Sequence, residues 1–206
     1  MKVMLVNGSP HEHGCTDAAL REVASALNAD GIDAEIFWIG NTPIGGCIAC
    51  GGCSKAGKCV FGGSVNEFAE KAKDADGFVF GTPVHYAAAS GNMTSFLDRL
   101  FYSASEKMRG KPAAVVVSAR RGGTTAAYEQ LLKYPGITEM PIVSSCYWNN
   151  VHGSTAEAIQ QDEEGVRIMR VLGHNMAWLL RCIEAGKAAG VPDPRKEPLA
   201  RTNFIR

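Results

Sequence analysis

The chain has 206 residues, 46% of them hydrophobic and 20% charged, which is the balance of an ordinary globular domain with a sizeable core. Its 21 basic and 21 acidic residues cancel, so the overall charge favours neither nucleic acid nor an anionic membrane as a partner. The N-terminal apolar run is too short for a secretory signal, and no stretch approaches the ~18 apolar residues of a transmembrane helix. We therefore expect a cytoplasmic protein, in which seven cysteines indicate metal or redox chemistry rather than structural disulfides.

Short apolar runs that end in turn residues alternate with segments of helical periodicity along the whole chain. Runs of this kind are typical of buried parallel strands. Five strands are predicted: KVMLVNG (2–8), DAEIFWI (33–39), GFVFGTPVH (77–85), PAAVVVSA (112–119) and EMPIVSS (139–145).

The helices predicted between and after these strands carry apolar residues at three- and four-residue intervals. The first begins near Thr16, which is a candidate N-cap, with Asp17 favourable in the first turn. Four more are predicted: one near Val65–Lys73, SGNMTSFLDRLFYSA (90–104), GTTAAYEQLLKY (123–134) and one near Asp162–Ala189. Cys146 and Cys182 are expected to be small core residues.

This alternation predicts an α/β fold with a doubly wound parallel sheet of five strands and helices on both faces. We expect a single domain over residues 1–190, with a cysteine-rich loop (45–60) inserted after the second strand. The Pro-rich segment 191–206 is expected to form an irregular C-terminal tail.

The loop after the first predicted strand, NGSPHEHGCT, favours a bound phosphate. Ser9 and Thr16 offer hydroxyls, and the loop ends at a helix N-terminus, where free N–H groups attract anions. The spacing differs from a nucleotide-hydrolysing P-loop, because five residues separate Gly8 from Gly14 and Cys15 stands where the lysine would be. The loop could hold a phosphate without cleaving it, as flavin mononucleotide requires, or it could be an ordinary strand–helix turn.

The loops after the third and fourth strands have the composition that a flavin ring needs. GTPVHYAAAS offers an apolar edge with polar tips, and SARRGGT offers glycines that allow close backbone approach. An isoalloxazine ring requires apolar walls together with backbone donors. Taken separately, these residues are equally typical of surface or packing positions.

Together, GSPHEHGCT, GTPVHYAAASGNMTSFLDR and SARRGGT resemble the NADPH-dependent FMN reductase branch of the flavodoxin-like superfamily. The resemblance implies that FMN is the cofactor and NAD(P)H a co-substrate. It implies a phosphate site made of Ser9, His11, Gly14, Cys15 and Thr16. It implies a ring site made of Pro83, Val84, His85, Tyr86, Ala119, Arg120, Gly122 and Gly123. Such proteins are usually dimers or tetramers with the flavin near a subunit interface, so a homodimer or homotetramer is expected.

The cysteine-rich loop holds Cys47, Cys50, Cys53 and Cys59 in the spacing C-x2-C-x2-C-x5-C. It resembles the compact motif of iron–sulfur flavoproteins, which implies a [4Fe–4S] cluster with these four ligands. From the residues alone, three possibilities stay open: a cluster, a tetrahedral zinc ion, or metal-free thiols beside the flavin.

The predicted function is that of an FMN-dependent oxidoreductase. It would accept hydride from NAD(P)H and reduce a quinone, a free flavin, a nitro or azo compound, or a redox protein. His85 and Tyr86 are the candidate catalytic residues, on the substrate side of the ring. The alternative is an electron carrier in which cluster and flavin relay electrons from ferredoxin without nicotinamide. A third interpretation is a flavin-binding sensor without turnover.

Overall fold

The computed structural model describes residues 1–198 together with residues 200, 202 and 204. Five strands form a parallel sheet in the order β2-β1-β3-β5-β6, and the two-residue strand β4 pairs antiparallel with β3. The strands are β1 Lys2–Asn7, β2 Asp33–Trp38, β3 Gly77–His85, β4 Ala88–Ala89, β5 Ala113–Ala119 and β6 Asn150–His152. The predicted doubly wound parallel sheet is therefore confirmed.

Helices cover both faces of the sheet. They are α1 Cys15–Ala29, α2 Gly52–Ala56, α3 Ser64–Lys71, α4 Gly91–Ala104, α5 Thr124–Ile137, α6 Ala156–Ile159 and α7 Glu163–Ala188. Alternate residues of β1 point to opposite faces, so Met4 and Val6 join a core with α3, α4 and α5, whereas Val3 and Leu5 join a core with α1 and α7. Among the described residues, no helix is both long enough and apolar enough to cross a membrane.

The fifth strand lies later in the chain than predicted. Within the predicted segment 139–145, Ile142 forms only an isolated bridge to Ala113, and the pairing with β5 resumes at β6. Residues 144–149 bulge outwards between the two contacts. Ser145 donates to the side chain of Asn149, whose amide donates to the carbonyl of Val115, so side chains replace part of the strand ladder.

The prediction that Cys146 and Cys182 are core residues is wrong. Cys146 lies in the bulge at 144–149, and Cys182 lies on the outer face of α7; both are exposed. A cysteine beside an apolar stripe can fall on either side of it, because one residue turns a helix by about 100°. Of the predicted tail, residues 191–198 contain no helix or strand, and positions 199, 201, 203, 205 and 206 lie outside the described residues.

Candidate functional site

The three loops predicted to hold a flavin meet at one edge of the sheet, beyond the carboxyl ends of β1, β3 and β5. The amide of Gly8 donates to the carbonyl of Gly81 in β3 at 2.9 Å, which ties the start of the first loop to the neighbouring strand. The hydroxyl of Ser90, after β4, donates to the carbonyl of Gly8 at 2.9 Å. This edge lies where the strand order reverses, the position at which ligands bind in sheets of this topology.

The loop between β1 and α1, Gly8–Gly14, is folded back on itself. The amide of Ser9 donates to the side chain of Asn7, and the hydroxyl of Ser9 accepts from the amide of His11 at 3.1 Å. The amide of Gly14 donates to the carbonyl of His11 at 3.3 Å. A Cβ on Gly14 would lie 3.1 Å from the Cβ of His11, so the turn is tight enough to favour glycine.

Helix α1 begins two residues earlier than a cap at Thr16 would imply. Gly14 is the N-cap and no side chain caps the helix, so the prediction that Thr16 is the cap is wrong. The hydroxyl of Thr16 is buried and lies 2.8 Å from that of Ser118 in β5. Thr16 can therefore offer a ligand its amide, as one of the first-turn N–H groups that lack an intrahelical acceptor.

Cys15 stands at the start of α1 and is partly buried. Its thiol lies 3.5 Å from the carbonyl of Gly153, in the loop after β6. Burial raises the pKa of this thiol, with a smaller contribution in the same direction from the charge of Glu157. Because the thiol points towards Gly153, any contribution of Cys15 to anion binding would come from its backbone amide in the first turn of α1.

The second loop is a tight hairpin between β3 and β4. Tyr86 and Ala87 at its tip have φ angles of 49° and 59°, values that L-residues seldom adopt and that favour Asn or Gly. The side chain of Tyr86 is fully exposed, at 105% relative accessibility, and His85 is exposed beside it. Positive φ at both central residues is what a two-residue hairpin turn of type I′ requires.

The third loop lies directly against this hairpin. Gly123, the N-cap of α5, has φ +96°, and a Cβ added there would lie 2.6 Å from the Cα of Ala87. Only glycine permits this approach. Of the other predicted ring residues, Pro83 and Val84 are half-buried, Ala119 is buried, and Arg120 and Gly122 are exposed.

The backbone and side-chain groups that these loops offer are compatible with bound FMN. The loop 8–14 offers a turn and a helix N-terminus to a phosphate, and it borders an open groove of about 1070 Å³ that also contacts Trp38 and Thr155. No lysine or arginine occurs between Gly8 and Thr16, so amides and the helix dipole would carry most of the anion's binding. None of the predicted ring residues lines this groove; the hairpin and the start of α5 form a separate, partly apolar surface beyond the ends of β3 and β5.

The four clustered cysteines converge on one cavity. Cys47, Cys50, Cys53 and Cys59 line it together with Arg99 and Tyr102, around about 320 Å³ of space that is partly open to solvent. Cys47 and Cys50 are exposed, Cys53 is half-buried and Cys59 is buried. Within the part of the chain that the structure describes, no three His, Cys, Asp or Glu side chains are grouped as a single metal ion requires.

The cysteine loop (residues 45–60) is attached to the rest of the protein at its two ends. At its start, the side chain of Asn92 accepts from the amide of Ile44 and donates to the carbonyl of Thr42. At its end, the side chain of Asn66 bonds both backbone groups of Cys59. The segment between these anchors is mostly exposed.

Two residues at these sites escaped the sequence-based predictions. Ser90 joins the second loop to the first, and its only signal is its position before the apolar stripe of α4, which is typical of a cap. Arg99 lies in the cysteine cavity and donates to Cys59. The sequence feature that could have indicated it is a charged residue three positions after Phe96, close to the otherwise apolar stripe of α4.

A doubly wound sheet with these loops at its switch point defines a flavodoxin-like, flavin-binding class of protein. The chain belongs to the NADPH-dependent FMN reductase family, whose sequence profile matches residues 1–155. This confirms the predicted family, and it makes the protein a flavoprotein oxidoreductase.

Several curated relatives are named iron–sulfur flavoproteins. One from Methanocaldococcus jannaschii is 28% identical over 194 residues, covering 89% of this chain and 100% of the relative. Another, from Methanosarcina thermophila, is 22% identical over 193 residues, covering 91% and 99%. These names agree with the iron–sulfur branch suggested by the cysteine spacing.

Solved structures of low sequence identity share the fold. RosB superposes with a TM-score of 0.69 at 14% identity, covering 100% of this chain and 92% of RosB. A flavodoxin from the domain Archaea superposes with a TM-score of 0.58 at 16% identity, covering 88% and 99%.

Proposed function

We propose that the protein is an FMN-dependent oxidoreductase that takes hydride from NAD(P)H and passes electrons to a second acceptor. The observation that carries the proposal is the meeting of three tied loops at the β1/β3 switch point, in a chain of the FMN reductase family. The acceptor would be a quinone, a free flavin, a nitro or azo compound, or a redox protein.

The chain's own groups have distinct tasks in this proposal. The backbone of loop 8–14 and the first turn of α1 would hold the phosphate, with the Ser9 and His11 side chains beside it. The hairpin tip and Gly123 would border the ring. Bound FMN would supply the hydride-accepting centre, so the protein needs chiefly to bind, orient and shield it. His85 and Tyr86 are exposed and would line the substrate side.

We further propose that Cys47, Cys50, Cys53 and Cys59 hold a [4Fe–4S] cluster. All four line one cavity, and the relatives' names support an iron–sulfur centre. A single tetrahedral zinc ion requires sulfurs about 3.8 Å apart, given Zn–S bonds of ~2.3 Å. A cubane spreads its four thiolates over four separate irons, so it does not require the close grouping of ligands around one point that a zinc ion does.

The proposal includes a homodimer or homotetramer in the cytoplasm, with a small molecule or a redox protein as the partner. The full exposure of Tyr86 supports an assembly, because a large apolar ring held out by a strained turn is available for a second subunit. Size-exclusion chromatography with light scattering measures the assembly directly.

The test combines reconstitution with rapid kinetics. Purified protein incubated with FMN should bind one flavin per chain, and anaerobic mixing with NADPH or NADH should bleach its absorbance. Protein that fails to bind FMN would refute the proposal. Bound flavin that is reduced by ferredoxin but not by either nicotinamide would favour the electron-carrier alternative, and flavin reduced by neither donor would favour a sensor. Iron, sulfide and zinc analysis separates a cluster from zinc and from free thiols.

A further inference from the structure

Arg99 is a buried cation beside the cysteine cavity. It lies on α4 and is 7% exposed, and it is the only basic side chain in the buried class among the residues that the structure describes. A buried guanidinium is stabilised by a nearby anion, because an unpaired charge loses its hydration when it is buried.

No carboxylate compensates this charge within the described part of the chain. Arg99 forms no ion pair there, and the adjacent Asp98 instead accepts a hydrogen bond from Tyr134. The Arg99 side chain donates from Nε to the Sγ of Cys59 at 3.2 Å and from Nη2 to the carbonyl of Gly62 at 2.7 Å. Its guanidinium also lies 5.7 Å from the ring centroid of Phe61.

The anion that this arrangement fits is sulfur-based. Four thiolates around a [4Fe–4S] core in its oxidised state carry a net charge of minus two, and the core becomes more negative on gaining an electron. An N–H donor and a nearby cation favour the more negative state, and hydrogen bonds to sulfur and net charge are two factors that set cluster potentials.

We propose that Arg99 is the positioning residue of the cysteine site: it fixes Cys59 as the anchored ligand and raises the reduction potential of the cluster. This inference rests on the proposed cluster. Two contacts from one planar group fix the orientation of the guanidinium, which lysine cannot reproduce. Cys59 is the one buried cysteine of the four, so its side chain is already held in the metal-free protein. Cys47 and Cys50 are exposed and would be held only once the cluster binds.

The experiment uses FMN-bound, anaerobically reconstituted protein with Arg99→Gln, Arg99→Lys and the control Arg109→Gln. Arg109 pairs with Glu106 and Glu139 and does not line the cavity, so its replacement removes the same charge elsewhere. Iron loss to a chelator and the EPR signal of the reduced cluster in a dithionite titration are measured. Flavin content and circular dichroism report the fold.

In Arg99→Gln, iron loss should accelerate at least about tenfold, as for other residues that support metal ligands. At a fixed solution potential, the ratio of reduced to oxidised cluster should fall about tenfold. For a one-electron couple this corresponds to a reduction potential that is lower by ~59 mV. Arg99→Lys should lose iron similarly but keep a ratio closer to wild type, because its charge remains. The control should match wild type in both.

Wild-type iron retention and wild-type potential in both Arg99 variants would overturn the inference while leaving the cluster in place. If Arg99→Gln does not fold, Arg99→Lys decides: unchanged iron loss there overturns the positioning role. Wild-type protein that binds no iron would overturn the cluster and this inference together, and the FMN reductase proposal would still stand on its flavin kinetics.

Discussion

The flavin edge and the cysteine loop are built in opposite ways. At the flavin edge, buried groups such as Ser90, Thr82 and Thr16 bond one loop or strand to the next, and close backbone contacts replace side chains. The cysteine loop has anchors at its ends and exposed residues between them.

This difference indicates how each site acquires its ligand. Loops tied to the sheet are formed before a cofactor arrives, so binding costs little ordering. An exposed loop with few buried contacts has low local stability, and the proposed metal centre would contribute directly to its order. We therefore expect substitutions at the flavin edge to affect folding, and those in the cysteine loop to matter mainly when iron is bound.

The largest effect is expected from Gly123→Val. Valine at φ +96° is strained by about 1–3 kcal/mol, and its contact with Ala87 adds about 1–3 kcal/mol of overpacking. The free energy of unfolding should fall by about 2–6 kcal/mol, with loss of FMN affinity, as measured by urea denaturation and flavin titration.

The matched variant is Gly57→Val in the cysteine loop. Gly57 also has positive φ, +67°, but an added Cβ meets nothing within 4 Å. It lacks the overpacking, and the exposed loop can rearrange to relieve the backbone strain, so the free energy of unfolding should fall by clearly less than in Gly123→Val. Equal destabilisation by the two valines would contradict the contrast between the regions.

Ser90→Ala should have the next largest effect. The hydroxyl caps α4 by accepting from the amide of Met93 and donates to the carbonyl of Gly8, which would lose its partner. We expect a loss of about 1–3 kcal/mol in urea denaturation. Thr94→Ala is the control, since its hydroxyl bonds only within the first turn of α4 and its loss should change stability by less than about 0.5 kcal/mol.

Cysteine alkylation should differ between the two regions in iron-free protein. Because burial raises the pKa of Cys15, less of it is thiolate near neutral pH, and iodoacetamide should modify it several-fold more slowly than the exposed Cys47. Added FMN should slow Cys15 further. Peptide mass spectrometry gives both rates, and equal rates would show that Cys15 is open to solvent.

The same pKa shift has a defined effect on stability. The folded state favours the neutral thiol of Cys15, so the contribution is present below the ordinary thiol pKa of about 8.5 and is lost as the pH rises through the raised value. Cys15→Ser should reduce this alkaline loss in urea denaturation, and an unchanged pH profile would argue against it.

The smallest effect is expected from Cys50→Ser without iron. Cys50 is exposed, so the free energy of unfolding should change by less than about 0.5 kcal/mol. After iron reconstitution, the variant should unfold at a lower temperature than wild type, because a ligand that binds only the folded state stabilises it. The same difference with and without iron would exclude a metal-linked role.

The sheet was predictable because its signals are local. The run AAVVVSA in β5 is buried at every position, and such an apolar run is typical of a central parallel strand. Likewise, the three loops could be placed at one edge, because the carboxyl ends of parallel strands meet there. Topology places the loops, whereas the individual ring and phosphate residues rest on the family resemblance, and their contacts with a cofactor stay predictions.

The features that could not be predicted from the sequence depend on contacts between residues that are far apart in the chain. Nothing near Arg99 in the chain indicates that it meets Cys59, 40 residues earlier. The apolar pattern of 139–145 is that of a strand, yet Asn149 and Ser145 divert the chain before β6 begins. Thr16 is a suitable cap by residue type, but its hydroxyl faces Ser118.

The divided fifth strand also bears on how the protein behaves at high concentration. A long, straight edge strand presents a row of free N–H and C=O groups to which another chain can add. Here the edge consists of one bridge at Ile142 and three residues of β6, separated by a bulge that carries Tyr147 and Trp148. Strand-by-strand aggregation from this edge is therefore obstructed, and straightening the bulge is expected to remove that protection.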